Sequence, residues 1–420
     1  MDKILVHGGH RLSGSIKVSG SKNSSLPILA ATLLTREPCV VHGVPDLSDT
    51  HYMLQILTFL GAQVERASGT VSVTAENVHS VAPYNLVRKM RASVCVLGPA
   101  LGRCRGAIVA MPGGCVIGNR PIDLHLKGFE ALGATVVVEG GDIKVSAPKL
   151  TGATINMQGK FGPTVLGTDN VMMAAVLADG VTVIEGAAQE PEVVDLANFL
   201  NKMGAKIQGA GTGTITIEGV PTLHGAEHRV IPDRIEAGTF LVTGAISGDG
   251  VTVTRVEPEH VRAVTDALAR CGYAIDIRDH AISILPNGNA AALQLATEPY
   301  PGFPTDMQAQ MCALLSTAKG TSSVTEKIFP RRYMHVAELK RMGAKVQVEG
   351  ATAVIEGVDH LLGAPVMASD LRASAALVLA GLKADGITEV SRVYHIDRGY
   401  ERLDEKLSEL GAHIERVKEE

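Results

Sequence analysis

Apolar and polar positions alternate along this chain in one recurring order. Segments such as 26–34 and 373–382 are rich in Ala and Leu and apolar on nearly every face, which predicts buried helices. After each comes a β-branched run such as 181–184 or 251–254, then a junction loop and a more polar, amphipathic helix. Two strands in which apolar and polar residues alternate follow this helix. The pattern predicts a β-α-β-α-β-β unit in which strands surround buried helices.

The unit occurs six times, and a glycine marks the end of each amphipathic helix. Successive glycines are 68 to 72 residues apart and stand at Gly61, Gly133, Gly204, Gly272, Gly343 and Gly411. Glycine is favoured just after a helix because it adopts a left-handed backbone conformation without strain. A regular period of this length indicates a repeat architecture, and 420 residues are too many for one core. We therefore expect two α/β domains of three repeats each.

Composition excludes several classes of protein. The net charge is −5, with 39 basic and 44 acidic residues and no basic block, so we expect no binding to nucleic acid or to an anionic membrane surface. The first residues lack a signal peptide, and apolar runs are too short to span a membrane, so a cytoplasmic location without membrane insertion is expected. The six cysteines form no CxxC pair, and we expect no disulfide, metal or cofactor.

Charged residues gather at two places in the repeat, the start of the buried helix and the junction loop. They include Lys22, Arg91, Lys160, Asp306, Asp370 and Arg372 at helix starts, and Arg120, Arg332, Asp397 and Arg398 in or beside junction loops. A cation at a helix start opposes the helix dipole, which an anionic ligand would explain. Asp306 taken alone is better explained as an ordinary helix-start acid, and Asp370 with Arg372 is equally well explained as a cap and a surface pair. Together the cations predict a pocket for a small, multiply charged anion.

The second repeat has an enlarged, glycine-rich junction loop, residues 111–123, that contains Cys115 and Arg120. Most lone cysteines are inert packing residues, but this one lies in a polar loop near an arginine, which favours thiolate chemistry. A thiol hydrolase using Cys115 with His125 would need the fold to bring the two residues together. The sequence lacks the glycine-rich phosphate loops of nucleotide hydrolases and of dehydrogenases.

Four segments together resemble the enolpyruvyl transferases. They are Gly20-Ser21-Lys22-Asn23, the loop from Pro112 to His125, Phe303-Pro304-Thr305-Asp306 with the residues up to Gln310, and Asp370-Leu371-Arg372. The resemblance extends to the C-terminal segment 394–402, and the cysteine loop separates the chain from the shikimate-pathway branch. It implies two inside-out α/β barrel domains of three repeats. We assign residues 1–21 with 230–420 to one domain and 22–229 to the other.

The resemblance also implies the reaction. The 3′-hydroxyl of UDP-N-acetylglucosamine would add to C2 of phosphoenolpyruvate, and phosphate would leave a tetrahedral intermediate, the first committed step of peptidoglycan synthesis. Cys115 would be the loop acid that fosfomycin alkylates, and Asp306 would orient or deprotonate the sugar hydroxyl. The residues implied around phosphoenolpyruvate are Lys22, Arg120 and Arg398, with Arg332, Asp370 and Arg372 nearby. Those implied for the nucleotide sugar are Asn23, Arg91, Lys160 and Ile328.

The chain departs from the family pattern directly after Lys160. Phe161-Gly162-Pro163-Thr164 stands where the family commonly has Ser-Val-Gly, so the contacts to the UDP group are less certain than those to phosphoenolpyruvate. Two alternatives remain open at this point: transfer to another hydroxyl acceptor, and a non-catalytic paralogue that binds UDP-sugar.

Overall fold

The structure is a computed structural model, and it describes residues 2–111, 122–286 and 290–418. These residues form two compact units. The terminal unit contains the described residues of Met1–Ser19 and Pro232–Glu420, and the central unit contains the described residues from 20 to 231. Among the described residues, none of the helices is long and apolar enough to cross a membrane.

Each unit contains three four-stranded sheets within its described residues. In the central unit, in order across each sheet, the strands are Glu227–Arg229, Cys39–His42, Thr70–Thr74 and Gln63–Ala67; Val81–Ala82, Gly106–Ala110, Asp142–Ser146 and Thr135–Glu139; and Thr154–Asn156, Val181–Glu185, Thr214–Glu218 and Lys206–Gln208. In the terminal unit they are Leu12–Lys17, Gly248–Thr254, Ala281–Ile284 and Ile275–Arg278; Gln294–Ala296, Thr321–Thr325, Thr352–Glu356 and Lys345–Glu349; and Pro365–Met367, Ile387–Ser391, Asp2–His7 and His413–Lys418.

All six sheets have the same internal order. The first strand is parallel to the second, and the remaining two pairs are antiparallel. A parallel pair needs a crossover between its strands, and in four of these sheets a buried helix supplies it; in the other two, the first strand comes from a remote part of the chain. The repeat predicted from the hydrophobic pattern is therefore confirmed.

The helices fall into a buried set and an outer set. The buried helices are Lys22–Ala31, Leu97–Cys104 and Val165–Ala175 in the central unit, and Arg234–Ser247, Gln308–Leu315 and Leu371–Lys383 in the terminal unit. The outer helices are Ser48–Phe59, Asp123–Ala131, Pro191–Lys202, Arg262–Arg270, Met334–Arg341 and Leu403–Glu409. Shorter helical segments are Thr32–Leu34, Tyr84–Val87, Arg91–Val96, Pro258–Val261, Thr305–Met307 and Val393–Arg398. The three buried helices of the terminal unit contact one another, and the sheets cover them, so helices fill the core.

The six recurring glycines end the outer helices as predicted. Their φ angles lie between +90° and +99°. In the first repeat, the N–H of Gly61 donates to the carbonyl of Thr58 and that of Ala62 to Leu57, the paired bonds of a Schellman motif. The same two bonds recur after Gly133, Gly204, Gly272, Gly343 and Gly411.

The chain passes between the units after Ser19 and after Ile231. The strand Leu12–Lys17 belongs to a terminal-unit sheet although the next helix, Lys22–Ala31, is in the central unit. The strand Glu227–Arg229 likewise stays in the central unit before the helix Arg234–Ser247 of the terminal unit. Each unit is therefore completed by a strand that is remote in sequence from the sheet it joins.

Candidate active site

A carboxylate and two guanidinium groups meet in the terminal unit, and we call Asp306, Arg332 and Arg372 the Asp306 cluster. Arg332 Nη1 donates to Asp306 Oδ1 at 2.7 Å, and Arg372 donates to Oδ2 from Nη2 at 3.1 Å and from Nε at 3.3 Å. The side chains of Arg372 and Arg332 are 1% and 7% exposed, whereas that of Asp306 is 27% exposed. The carboxylate is thus the accessible member of the cluster.

The starts of two buried helices position this cluster. Asp306 lies in the helical turn Thr305–Met307, directly before the helix Gln308–Leu315. Arg372 lies in the first turn of the helix Leu371–Lys383, and Asp370 caps that helix by accepting the backbone N–H groups of Arg372 at 2.9 Å and Ala373 at 3.2 Å. The cap that the sequence offered as an alternative role for Asp370 is present. Arg372 is buried, so a surface pair is not its role.

Opposite charges hold both arginines in their ionised form. Burial by itself would lower the pKa of Arg332, but Asp306 and Asp370 outweigh it and raise that pKa. Burial likewise acts to lower the pKa of Arg372, while Tyr400 and Asp306 raise it. The guanidinium carbon of Arg372 lies 5.1 Å from the centre of the Tyr400 ring, within cation–π distance. The cluster is therefore a fixed arrangement of charge at ordinary pH.

Two histidines lie near the same charges. His335 is buried, and burial, with a smaller contribution from the positive charge of Arg332, lowers its pKa to about 4. His395 is half-buried, and burial followed by the charge of Arg398 lowers its pKa. Arg398, which is partly buried at the end of the turn Val393–Arg398, is thereby placed beside His395. At neutral pH these imidazoles are therefore uncharged while the arginines are charged.

A buried carboxylate fixes the loop that contains Ile328. Glu326 is fully buried, and its Oε1 accepts the backbone N–H groups of Ile328 at 2.8 Å and Phe329 at 2.9 Å. Its Oε2 accepts the hydroxyl of Thr305 at 2.8 Å, and Arg332 donates to the same hydroxyl at 3.1 Å. Glu326 therefore connects the Ile328 loop to the Asp306 cluster. We did not predict this residue, since Thr305, through which it reaches the cluster, is distant in sequence.

In the central unit, Lys22 begins a buried helix. Ser21 caps the helix by accepting the N–H of Ser24 at 3.3 Å, and Asn23 follows with its side chain partly exposed. Lys22 Nζ lies 3.4 Å from Asp49 Oδ2, and the two side chains are 12% and 2% exposed. Asp49, which the sequence analysis missed, offsets the unfavourable position of a cation at a helix start.

Arg91 begins the helical turn Arg91–Val96 and lies near His125. Burial, followed by the charge of Arg91, lowers the pKa of His125 to about 3. The Nδ1 atom of His125 is 3.0 Å from the amide nitrogen of Asn170, which also donates to the carbonyl of Val94 at 3.0 Å. A buried histidine that is this weak a base is unsuited to activate a thiol near neutral pH, which counts against the thiol hydrolase.

Lys160 lies at the tip of a hairpin formed by Gln158–Gly159 and Gly162–Pro163. Its ammonium group is 5.2 Å from the centre of the Phe161 ring, and both residues are exposed. Gly162 has a φ of +111°, which a side chain would strain. The residues that depart from the family pattern therefore form this turn.

Cys115 and Arg120 lie outside the described residues. The other five cysteines are free thiols, and four of them, Cys39, Cys95, Cys271 and Cys312, are buried. Burial raises the pKa of each buried thiol and of the half-buried Cys104. These five thiols are therefore poor nucleophiles near neutral pH.

The residues predicted from the sequence are thus distributed over both units. The terminal unit brings Asp306, Arg332, Asp370 and Arg372 together, links Ile328 to them through Glu326, and places Arg398 beside His395. The central unit holds Lys22 and Asn23 on one helix start, Arg91 near His125, and Lys160 on the exposed hairpin. Two repeated units with cations and an accessible carboxylate at helix starts are the arrangement that the resemblance to the enolpyruvyl transferases implies.

Comparison with known proteins agrees. A family model described as EPSP synthase (3-phosphoshikimate 1-carboxyvinyltransferase) matches residues 6–407. The UDP-N-acetylglucosamine 1-carboxyvinyltransferases of Akkermansia muciniphila and Methylacidiphilum infernorum are 60% and 58% identical to this chain, each over 99% of both chains. The chain therefore belongs to the EPSP synthase family, in the branch of the UDP-N-acetylglucosamine 1-carboxyvinyltransferases.

Solved structures confirm the predicted fold. The enolpyruvyl transferase NikO from Streptomyces tendae is similar over 100% of this chain and 99% of its own, with a TM-score of 0.90 and 26% identity. The EPSP synthase of Acinetobacter baumannii has a TM-score of 0.78 at 16% identity, with both chains fully covered. The chain thus has the enolpyruvyl transferase fold over its whole length.

Proposed function

We infer that this protein transfers the enolpyruvyl group of phosphoenolpyruvate to the 3′-hydroxyl of UDP-N-acetylglucosamine and releases phosphate. The observation that carries the inference is full-length identity of 53–60% to several proteins named for this activity. The reaction commits the nucleotide sugar to peptidoglycan, and hence to cell shape and division. We place it in the cytoplasm, as expected from the sequence.

The chemistry has two stages. In the first, the sugar oxygen bonds to C2 of phosphoenolpyruvate, a proton is added to C3, and the hydroxyl proton goes to a base. In the second, the bond between C2 and the phosphate oxygen breaks while C3 gives up a proton. The protein must supply an acid, a base and cations for a substrate with a phosphate and a carboxylate.

We propose Asp306 as the group that orients and deprotonates the sugar hydroxyl. It is the accessible member of its cluster, and the fork of Arg372 and the Nη1 of Arg332 fix its two oxygens. A base whose orientation is already fixed loses little orientational freedom when the substrate binds. Asp370 supports it indirectly by capping the helix that presents Arg372.

We propose that Lys22, Arg120, Arg398, Arg332 and Arg372 stabilise the charges of phosphoenolpyruvate and of the tetrahedral intermediate. Preorganised cations contribute most where charge develops, since they need no reorganisation during the reaction. Asn23, Arg91, Lys160 and Ile328 would contact the nucleotide sugar. The exposed Lys160 hairpin and the Ile328 loop held by Glu326 support this assignment. The two compact units support division into domains at 1–21 with 230–420 and at 22–229.

The test is phosphate release by the purified protein with UDP-N-acetylglucosamine, with shikimate 3-phosphate and without an acceptor. Release with the UDP-sugar alone is the expected result. Release with another acceptor would establish the alternative acceptor, and no release from folded protein would establish the non-catalytic paralogue.

Cys115 is proposed as the acid of the loop, and its substitution gives a second test. Cys115→Ser should abolish or severely reduce turnover, whereas Cys115→Asp should keep an acid at this position and resist fosfomycin. Mass spectrometry of the parent protein should find one fosfomycin adduct, because burial raises the pKa of thiols such as Cys95 and Cys271. Full activity of Cys115→Ser would remove the thiol from the mechanism.

A further inference from the structure

Two histidines and a glutamate meet where the first strand of the chain pairs with the last. His7 lies directly opposite His413 in the antiparallel pair of Asp2–His7 and His413–Lys418. Glu415 is two residues beyond His413, and side chains two apart in a strand share a face of the sheet. All three side chains reach solvent, with 25% of His7, 51% of His413 and 50% of Glu415 exposed.

The distances between their ligand atoms suit a small cation. Glu415 Oε1 lies 3.6 Å from Nε2 of His7 and 3.1 Å from Nε2 of His413. One nitrogen of each ring and one carboxylate oxygen all lie within 4.8 Å of one another. Ligands at about 2.0–2.1 Å from a tetrahedral zinc ion are separated from one another by about 3.3 Å. The two measured separations lie on either side of that value.

The two imidazole rings are stacked, with centroids 3.8 Å apart and 9° between their planes. Two protonated rings at this distance would repel each other, so ion pairing of both with one carboxylate oxygen is a poor explanation of the arrangement. An imidazole nitrogen binds an ion in the plane of its ring, so one of these nearly parallel rings turns when both bind one ion, and both side chains reach solvent. Two neutral imidazoles and a carboxylate are a donor set that zinc accepts in proteins.

A fourth donor is close by. His10 follows His7 by three residues, and its ring centroid is 5.7 Å from that of His413. The turn between them is anchored because Gly8 donates to the carbonyl of Gly386 at 3.0 Å and Gly9 to that of Leu382 at 3.1 Å. His10 is exposed, so its side chain has room to turn toward the other donors.

We propose that His7, His413 and Glu415 form a binding site for a borderline divalent cation such as Zn²⁺, with His10 or water as the fourth ligand. The ion would join the first strand of the chain to the last and stabilise the sheet they share. This site uses none of the residues proposed for enolpyruvyl transfer. It was not predicted from the sequence, where only the cysteine spacing was considered.

The experiment is calorimetric titration of ZnCl₂ into full-length, untagged protein that has been stripped with a chelator. One zinc ion per chain is expected, with a melting temperature that rises with zinc concentration, because a ligand that binds only the folded state stabilises it. His413→Asn and His7→Asn should each weaken binding by about tenfold or more, since loss of a mere supporting contact already costs about that much.

His42→Asn is the matched control. His42 also faces a glutamate across a strand pair, with Nε2 2.7 Å from Glu227 Oε1, but it is not among the described groups of three possible ligands. It should bind zinc as the parent does. Circular dichroism without zinc should be the same for all variants. Absence of one-to-one binding, equal binding by His413→Asn, or a comparable loss in His42→Asn would overturn the proposal.

Discussion

The two units place cations at the starts of buried helices in opposite ways. In the terminal unit, Arg372 is 1% exposed and its carboxylate partner Asp306 is 27% exposed. In the central unit the carboxylate of Asp49 is 2% exposed and Lys22 is 12% exposed. In the terminal unit the acid is more accessible than its cation partner, whereas in the central unit the cation is more accessible than its acid partner. Under the proposed function, the terminal unit would supply the base and the central unit a cation for the anionic substrate.

Asp306→Asn gives the sharpest test of this difference. The change keeps the shape of the side chain but removes the proposed base, so kcat should fall about 100-fold or more, the usual contribution of general base catalysis, with a smaller change in the KM for phosphoenolpyruvate. Phosphate release measures both constants. The exposed Asp359→Asn is the control and should match the parent. A raised KM with unchanged kcat would mean that Asp306 only orders the arginines.

Much of the fold could be predicted because each repeat contains signals that depend only on neighbouring residues. The glycines after the outer helices are local signals, since a positive φ at Gly61 or Gly411 depends on the residue itself. In each unit one sheet has a first strand that comes from a remote part of the chain, and this pairing could not be predicted from local signals. The strand Glu227–Arg229 pairs with Cys39–His42, and nothing local to either segment identifies the other.

The residues of the candidate site also divide into those that could be predicted from the sequence and those that could not. Asp306 and Arg372 each have an ordinary explanation at a helix start, so the resemblance to the enolpyruvyl transferases was needed to predict their roles. Asp49 and Glu326 are buried acids with partners remote in sequence, and only the fold reveals that Asp49 lies beside Lys22 and that Glu326 bonds to Thr305. The sequence shows the Phe161-Gly162-Pro163 departure from the family pattern, and the structure adds the hairpin that these residues form.

Each unit contains a buried histidine that should make the free energy of unfolding depend on pH. Burial lowers the pKa of His125 to about 3 in the central unit and of His335 to about 4 in the terminal unit. The folded protein keeps both rings neutral, while the unfolded chain protonates them below about pH 6.5. Unfolding therefore takes up protons, and each histidine should lower stability by about 1.4 kcal/mol per pH unit as the pH falls from 6.5 toward its folded pKa.

Urea midpoints at pH 7.5 and 5.5 measure this dependence. His125→Gln and His335→Gln should each lose part of the difference between the two pH values, and the exposed His360→Gln should keep all of it. A pH dependence in His125→Gln equal to that of the parent would mean that its ring can be protonated in place, despite its bond to Asn170.

The smallest expected effect compares two glycines at the same point of the repeat. Gly61 in the central unit and Gly343 in the terminal unit have φ angles of +99° and +90°. A Cβ on Gly343 would meet nothing within 4 Å, so Gly343→Ala should cost only the left-handed conformation, about 1–2 kcal/mol. A Cβ on Gly61 would lie 2.3 Å from the carbonyl oxygen of Asn77, and Gly61→Ala should cost more. Equal urea midpoints for the two variants would mean that the Asn77 segment moves aside, and that backbone conformation alone explains why glycine ends each of these helices.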